Sequence, residues 1–234
     1  MKKKADVVDW YSRIPKRFLP KRHNPNYDIH HIKVPFRMLI TGSSGSGKTQ
    51  TLLSLLHNMK NTFSKVVITT KNRDEPLYNW LSEKLHKEPS FEIREIDKDG
   101  LPQLDTFCKD DNNLLVMDDL VGESSKVQKQ MEDYFLRARK LGCSLVYITQ
   151  SYYAVPKMIR NNLNLLIIKQ VSSMRNLTMI LKEFDLGLTK EQLIEMYKHA
   201  TADKSGFLLL DLDGEPSKKF RKNFDSYYEI DTEI

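Results

Sequence analysis

The chain has 234 residues, 29% of them charged and 40% hydrophobic, which suits one large globular domain with or without an arm and excludes a chain disordered throughout. No uninterrupted apolar run approaches the roughly 18–20 residues of a membrane span. The basic start Met1-Lys2-Lys3-Lys4 leads into no apolar stretch, so it does not read as a secretory signal. The net charge of +6 is unevenly placed: residues 1–33 hold nine Lys/Arg against three Asp, and the remainder balances. A basic segment beside a neutral body points to a polyanionic partner, nucleic acid or an acidic protein surface, or else to a solvated tail. The two cysteines, Cys108 and Cys143, lack paired spacing, which argues for a reducing compartment and against a disulfide frame or a zinc site.

In chain order, Pro15, Pro20 and Pro25 fall among Lys16, Arg17, Lys21 and Arg22, so residues 1–33 read as an extended basic arm. Trp10, Tyr11, Phe18, Leu19 and Tyr27 are available to pin it to the body or to a neighbouring subunit. The domain proper is expected over 34–234. Residues 36–41 read as a strand, 42–47 as a small-residue turn, and 48–59 as a helix with Leu52, Leu53, Leu55 and Leu56 on one side. A second strand follows at 65–70. Residues 71–112 are charged and broken by Pro76, Pro89, Gly100 and Pro102; a short helix is expected over 78–86 and a strand over 91–96. A buried-type strand at 113–117 ends in Asp118-Asp119. Val127, Met131, Tyr134, Phe135, Ala138 and Leu141 mark an amphipathic helix over 125–141, with Arg137, Arg139 and Lys140 mostly outside the stripe. Strands follow at 144–149 and 165–169. Ser173 caps a helix that stops near Gly187, Thr189-Lys190-Glu191-Gln192 is a capping box, and Asp213-Gly214 after a strand at 207–212 is a hairpin signal. Strands alternating with helices imply an α/β domain with a mostly parallel central sheet flanked by helices.

The run Gly42-Ser43-Ser44-Gly45-Ser46-Gly47-Lys48-Thr49, followed by Gln50, satisfies G-x-x-x-x-G-K-[ST] between a strand and a helix. Successive amide N–H groups must converge on phosphate oxygens, and bulky side chains would block that approach. The following helix points its positive end at the anion. This assigns ATP to the loop, with Lys48 reaching the β- and γ-phosphates and the Thr49 hydroxyl ligating Mg²⁺.

An apolar strand ending in two carboxylates is the second site. In a P-loop fold the first acid there, Asp118, holds Mg²⁺ through water. Asp119 stands where many such ATPases carry a water-orienting Glu, and Glu123 is the substitute candidate. Gln150 ends the next strand, placed to sense the γ-phosphate or simply to bond backbone.

The loop, the Asp118-Asp119 strand end, Tyr147-Ile148-Thr149-Gln150-Ser151 and Pro156-Lys157-Met158-Ile159-Arg160-Asn161-Asn162 together resemble the DNA-packaging ATPases of large double-stranded DNA viruses and virophages. That family includes the poxvirus packaging ATPase and belongs to the FtsK–HerA superfamily. The resemblance covers about residues 34–212. It implies a P-loop NTPase of the ASCE/RecA-like type with an extra strand between the phosphate-loop strand and the acidic strand. It also implies a homo-oligomeric ring that hydrolyses ATP to pump double-stranded DNA into a capsid, in the virion or host-cell cytoplasm, touching capsid protein. An arginine supplied in trans to a neighbour's ATP is implied too, with Arg160, Arg137 and Arg139 as candidates.

Two other uses of the loop stay open. A nucleoside or small-molecule kinase would read Arg160 and Arg175 as acceptor-side arginines, and an assembly protein would bind ATP without turnover. His23, His30 and His31 lack the companion ligands of a metal site. Tyr152-Tyr153 would either stack on DNA or pack half-buried. The basic run Lys218-Lys219-Phe220-Arg221-Lys222 would be a nucleic-acid contact or a solvated edge strand.

Overall fold

The computed structural model describes residues 8–184 and 187–229. Its strands are β1 (Arg37–Thr41), β2 (Lys65–Thr70), β3 (Phe91–Glu95), β4 (Asn113–Asp118), β5 (Cys143–Thr149), β6 (Leu165–Ile168), β7 (Leu208–Asp211), β8 (Phe220–Lys222) and β9 (Ser226–Tyr227). Its helices are α1 (Tyr27–His30), α2 (Lys48–Asn58), α3 (Pro76–Leu85), α4 (Ile96–Asp99), α5 (Ser125–Arg137), α6 (Lys157–Arg160), α7 (Met174–Lys182) and α8 (Lys190–Ala200).

The strands form one sheet in the order β3-β2-β4-β5-β1-β6-β7-β8-β9. The six from β3 to β6 are mutually parallel, and β7, β8 and β9 add antiparallel. A parallel sheet is covered on both faces, so its strands are apolar throughout; β4, β5 and β6 are buried at every position. Leu39, Leu115, Tyr147 and Leu166 point into one layer with Met131, Tyr134 and Phe135 of α5 and Leu177 and Leu181 of α7. Met38, Ile40, Val116, Ile148 and Ile167 point into the other, against Leu52 and Leu55 of α2 and Tyr78 of α3. Each such fully buried aliphatic side chain contributes about 2 kcal/mol of transfer free energy. The strand implied between the phosphate-loop strand and the acidic strand is β5, with Thr41 paired to Thr149 and Asp118 to Ile148.

Several expected boundaries shift for local reasons. Pro76 at the first helical position opens α3 two residues earlier than 78. Ile96 leaves the expected 91–96 strand to start α4. The helix expected to 141 ends at Arg137 and tightens into a 3₁₀ turn, Ala138–Leu141, closed by Gly142 at φ +66°. The Ser173-capped helix stops at Lys182 instead of running to Gly187. The capping box of α8 forms in full, Thr189 and Gln192 each bonding the other's backbone N–H. The Asp213-Gly214 hairpin signal does sit between antiparallel β7 and β8, but inside a longer connection.

The basic run at 218–222 is not a solvated edge. β8 lies between β7 and β9, Phe220 is fully buried, and the buried Arg221 guanidinium donates to Asp211 Oδ2 at 2.6 Å and to the carbonyls of His30, His31 and Phe224. That contact welds the expected arm to the sheet. The weld continues upstream, where Asn26 Nδ2 donates to Lys60 O, Asn112 Nδ2 to His23 O, and Arg22 to Asp111 O and Lys109 O. The arm is thus docked from Arg22 onward. Trp10, Tyr11 and Phe18 do not pin it to the body, being 67%, 76% and 67% exposed. Lys2, Lys3 and Lys4 of the arm lie outside the described residues.

His30 carries the pH dependence of this docking. It is buried, and its Nδ1 accepts the Ile32 N–H at 3.0 Å. Burial, with His31 and Arg221 adding to it, pushes its pKa down to about 4. The unfolded chain takes up that proton below the ordinary 6.5 and the folded chain does not. The stability is therefore complete above 6.5 and drains away as pH falls toward 4, by at most about 3 kcal/mol. His30→Asn keeps an acceptor for Ile32 and removes the titration. The gap between wild-type and variant thermal midpoints is expected to move in the variant's favour from pH 7 to pH 4; a gap constant with pH would contradict it.

Candidate nucleotide and metal site

All the parallel strands point their carboxyl ends to one edge, and that edge collects the expected site. The phosphate loop joins β1 to α2. Gly45 and Gly47 take φ of +70° and +85°, a region costly for side-chain-bearing residues, and Gly47 caps α2. Gly42 is needed for a different reason: a Cβ there would stand 2.6 Å from Lys169 Cβ. The Ser43 N–H donates to Gln170 O at 2.9 Å, tying the loop to the end of β6. Lys48 Nζ donates to Gly42 O and Ser43 O, each at 2.9 Å, which holds the ammonium inside the loop's curve. Ser46 is buried in the loop, and its hydroxyl has no hydrogen-bond partner among the described residues. Ser44, Gly45 and Gln50 are exposed.

Beside the loop stands a group of carboxylates. Thr49 Oγ1 donates to Glu75 Oε2 at 3.1 Å, and the Tyr78 hydroxyl donates to Asp118 Oδ2 at 2.7 Å. Asp118 is buried, and burial pushes its carboxyl up to about 6; Glu75 and Asp119 push the same way, while the Tyr78 hydroxyl and Lys48 pull it down. Burial also lowers the Lys48 pKa, against the pull of Asp118, Asp119 and Glu75. Asp119 is exposed at φ +55°, its N–H bonded to Ile148 O at 3.0 Å. Glu123 is half-buried and paired with Lys71 at 2.9 Å. Gln150 follows the Thr41–Thr149 pairing by one residue and is exposed at the same edge. Thr49 and Asp118 present hard oxygen donors, the type Mg²⁺ prefers.

The three arginines are placed differently. Arg160 is paired with Glu183 of its own chain, donates from Nε to Val155 O at 3.1 Å, and lies 5.2 Å over the rings of both Tyr152 and Tyr153. Tyr152 is therefore buried packing, not a free stacking surface. Arg137 and Arg139 are exposed and in no ion pair among the described residues.

Glu75, Tyr78 and Lys169 went unread in the sequence. Lys169 directly follows β6 and is fully buried, with Nζ donating to Ser205 O at 2.7 Å, Gly206 O at 3.0 Å and Lys204 O at 3.3 Å, and burial pushes its pKa down to about 8. It forms the wall behind Gly42. A lysine closing a four-residue apolar strand was the available signal. Pro76 was the signal for Glu75, since it marks a helix start just after a strand.

The chain is similar to several known proteins. The chain is 32% identical over 142 residues to the DNA packaging protein OPG160 of Variola virus, covering 56% of this chain and 52% of that one. It is 31% identical over 142 residues to the protein of the same name from Vaccinia virus (strain Copenhagen). The chain spans about half the length of these curated relatives. Among solved structures, the genome packaging NTPase B204 of Sulfolobus turreted icosahedral virus 2, in complex with AMP, superposes with a TM-score of 0.55 at 12% identity, covering 85% of this chain and 100% of that one. The crystal structure of B204, the DNA-packaging ATPase from Sulfolobus turreted icosahedral virus, gives 0.54 at 16% identity over 89% and 100%. These matches show the fold, a P-loop NTPase with a mostly parallel sheet flanked by helices. The family model described as Poxvirus A32 protein matches residues 26–210, and the chain belongs to that family.

Proposed function

We propose that the chain is an ATP-hydrolysing motor that drives double-stranded DNA into a viral capsid. It works as a homo-oligomeric ring, in the virion or the host-cell cytoplasm, against capsid protein. No helix among the described residues is long and apolar enough to cross a membrane. One observation carries the reading: a glycine-lined phosphate loop, a buried strand-end carboxylate and an exposed strand-end glutamine meet at one sheet edge, in a chain whose relatives are named DNA packaging proteins.

The residues divide the work. The amides of residues 44–49 and the unpartnered Ser46 hydroxyl bind phosphate oxygens, and Lys48 exchanges its two loop carbonyls for the β- and γ-phosphates. Thr49 and Asp118 are the residues that would hold Mg²⁺, which when bound neutralises charge on the β- and γ-phosphates. Because Thr49 spends its proton on Glu75, its oxygen lone pairs stay free for the metal. Asp118 is fixed differently: it accepts the Tyr78 hydroxyl at Oδ2, which leaves Oδ1 for the metal. Asp119 orients the attacking water, since Glu123 is engaged by Lys71. Gln150 reports loss of the γ-phosphate to the neighbouring strands. The trans arginine is Arg137 or Arg139 before Arg160, whose charge Glu183 already neutralises.

Glu75→Gln is expected to weaken Mg²⁺-dependent nucleotide binding by about 10–100-fold, the usual effect of losing a partner that orients a metal ligand. Titration of a fluorescent ATP analogue with and without Mg²⁺ checks it; an equal loss in both conditions would contradict the orienting role.

The decisive assay for function is hydrolysis with and without duplex DNA. Stimulation by the duplex supports the motor. Transfer of phosphate to a nucleoside in preference to water would replace it with a kinase. Tight binding without turnover in the assembled protein would replace it with a nucleotide-dependent assembly role.

A further inference from the structure

The sheet has a second charged edge, opposite the nucleotide. β4, β5 and β1 are adjacent and parallel, so the segments feeding their amino ends lie together. At about 3.3 Å per residue, that edge stands roughly 20 Å from the phosphate loop. Lys109 leads into β4, Arg139 and Lys140 into β5, and Lys33 into β1. The arm crosses the same edge and is clamped there by Arg22, which donates to Asp111 O at 2.7 Å and Lys109 O at 3.1 Å. The clamp fits a glycine: a Cβ on Gly142 would stand 2.4 Å from Arg22 Nη1.

Between arm and sheet edge lies a cleft of about 1120 Å³, lined by Arg17, Lys21, Lys33, Lys109, Arg139 and Lys140 among others. All six are exposed, and none is in an ion pair among the described residues. Of the carboxylates in the same wall, Asp211 is taken by Arg221 and Glu215 by Lys218, which leaves Asp110 and Asp213 against six cations. The cations come from three segments far apart in sequence (the arm with Arg17, Lys21 and Lys33; Lys109; and Arg139 with Lys140), so the arm supplies half of the feature. Exposed Tyr11 and Phe18 stand in the same lining, with the Arg17 guanidinium 5.0 Å over the Phe18 ring.

We propose that this cleft binds the phosphodiester backbone of DNA. The proposal rests on the DNA-motor reading above and adds where the polyanion sits. Converging unpaired cations repel one another, and a phosphate backbone relieves that repulsion while releasing its own condensed counterions. The flexible ammonium and guanidinium groups follow phosphates without reading bases, so binding is insensitive to sequence. The aromatic rings beside them can pack against the deoxyribose between successive phosphates. Arg139 is then a backbone contact, which leaves Arg137 as the free guanidinium for the trans role. DNA and ATP occupy opposite ends of the same three strands.

The test is the salt dependence of duplex binding by the full chain, followed by fluorescence anisotropy of a labelled duplex. Lys33→Gln/Lys109→Gln/Lys140→Gln removes three cleft charges. Lys182→Gln/Lys190→Gln/Lys198→Gln removes three exposed charges from α7 and α8, and so controls for net charge. The slope of log affinity against log salt is expected to flatten by about 2.7 in the cleft variant and to stay put in the control. Between 50 and 200 mM salt the wild type should then lose about 40-fold more affinity than the cleft variant. Binding of the fluorescent ATP analogue confirms that both variants are folded. Equal slopes in the two variants would overturn the location while leaving the motor standing. A wild type that hydrolyses ATP but binds no duplex would overturn the DNA reading itself. Polyglutamate displacing the duplex at equal charge concentration would make the cleft an acidic-protein site instead.

Discussion

Lys48→Ala is expected to slow ATP hydrolysis by about 10²–10³-fold, or about 3–4 kcal/mol of barrier, the usual effect of removing one donor aimed at developing charge. The ammonium sits half-buried inside the loop, so its field is weakly screened where the phosphates bind. In the free protein it is held by the carbonyls of Gly42 and Ser43 at 2.9 Å, and those neutral acceptors are weaker partners than phosphate oxygens. The exchange is therefore downhill, and Ala forfeits it. Turnover measured under saturating ATP, with thermal melting to confirm folding, decides the matter. A folded Lys48→Ala protein with near wild-type turnover would remove the phosphate loop from the chemistry.

Asp118→Asn is expected to lower turnover by a similar factor and to do something the lysine variant does not. Without metal, Asp118 is a buried carboxyl whose pKa stands at about 6 against an ordinary 3.8, with burial as the main cause. The folded chain therefore holds a proton that the unfolded chain has already released. The stability from this group is complete below about 4 and is lost as pH rises through 6, by about 3 kcal/mol. Asn carries no charge to bury, so the metal-free variant should melt several degrees above wild type at pH 7.5 and level with it at pH 4. Mg²⁺ should raise the wild-type midpoint and leave the variant unmoved. A variant that is inactive but less stable than wild type at pH 7.5 would indicate misfolding, and an active variant would clear Asp118 of the metal role.

The parts that were legible in the sequence are those in which chemistry and local geometry coincide. The phosphate loop needs glycines, a lysine and a hydroxyl in consecutive positions, so it is visible as a string. β4 is visible because six buried residues ending in an acid leave little else to be. Glu75 and Tyr78 were hidden because their place depends on sheet order: β2 neighbours β4, which no spacing announces, and both lie in a segment that reads as charged and broken. Arg221 was misread from a basic run because its partners, the carbonyls of His30 and His31, lie about 190 residues upstream. The holding of Arg160 by Glu183 and two tyrosine rings was also hidden, because Glu183 lies 23 residues downstream and no spacing links the two.

Crystals grown with Mg²⁺ and a non-hydrolysable ATP analogue test the central claim most directly. The expected result is Lys48 Nζ withdrawn from the Gly42 and Ser43 carbonyls onto the β- and γ-phosphates, with the metal between Thr49 and Asp118. A well-ordered chain that leaves the ammonium on those carbonyls, with nucleotide absent from the loop or bound elsewhere, would contradict it.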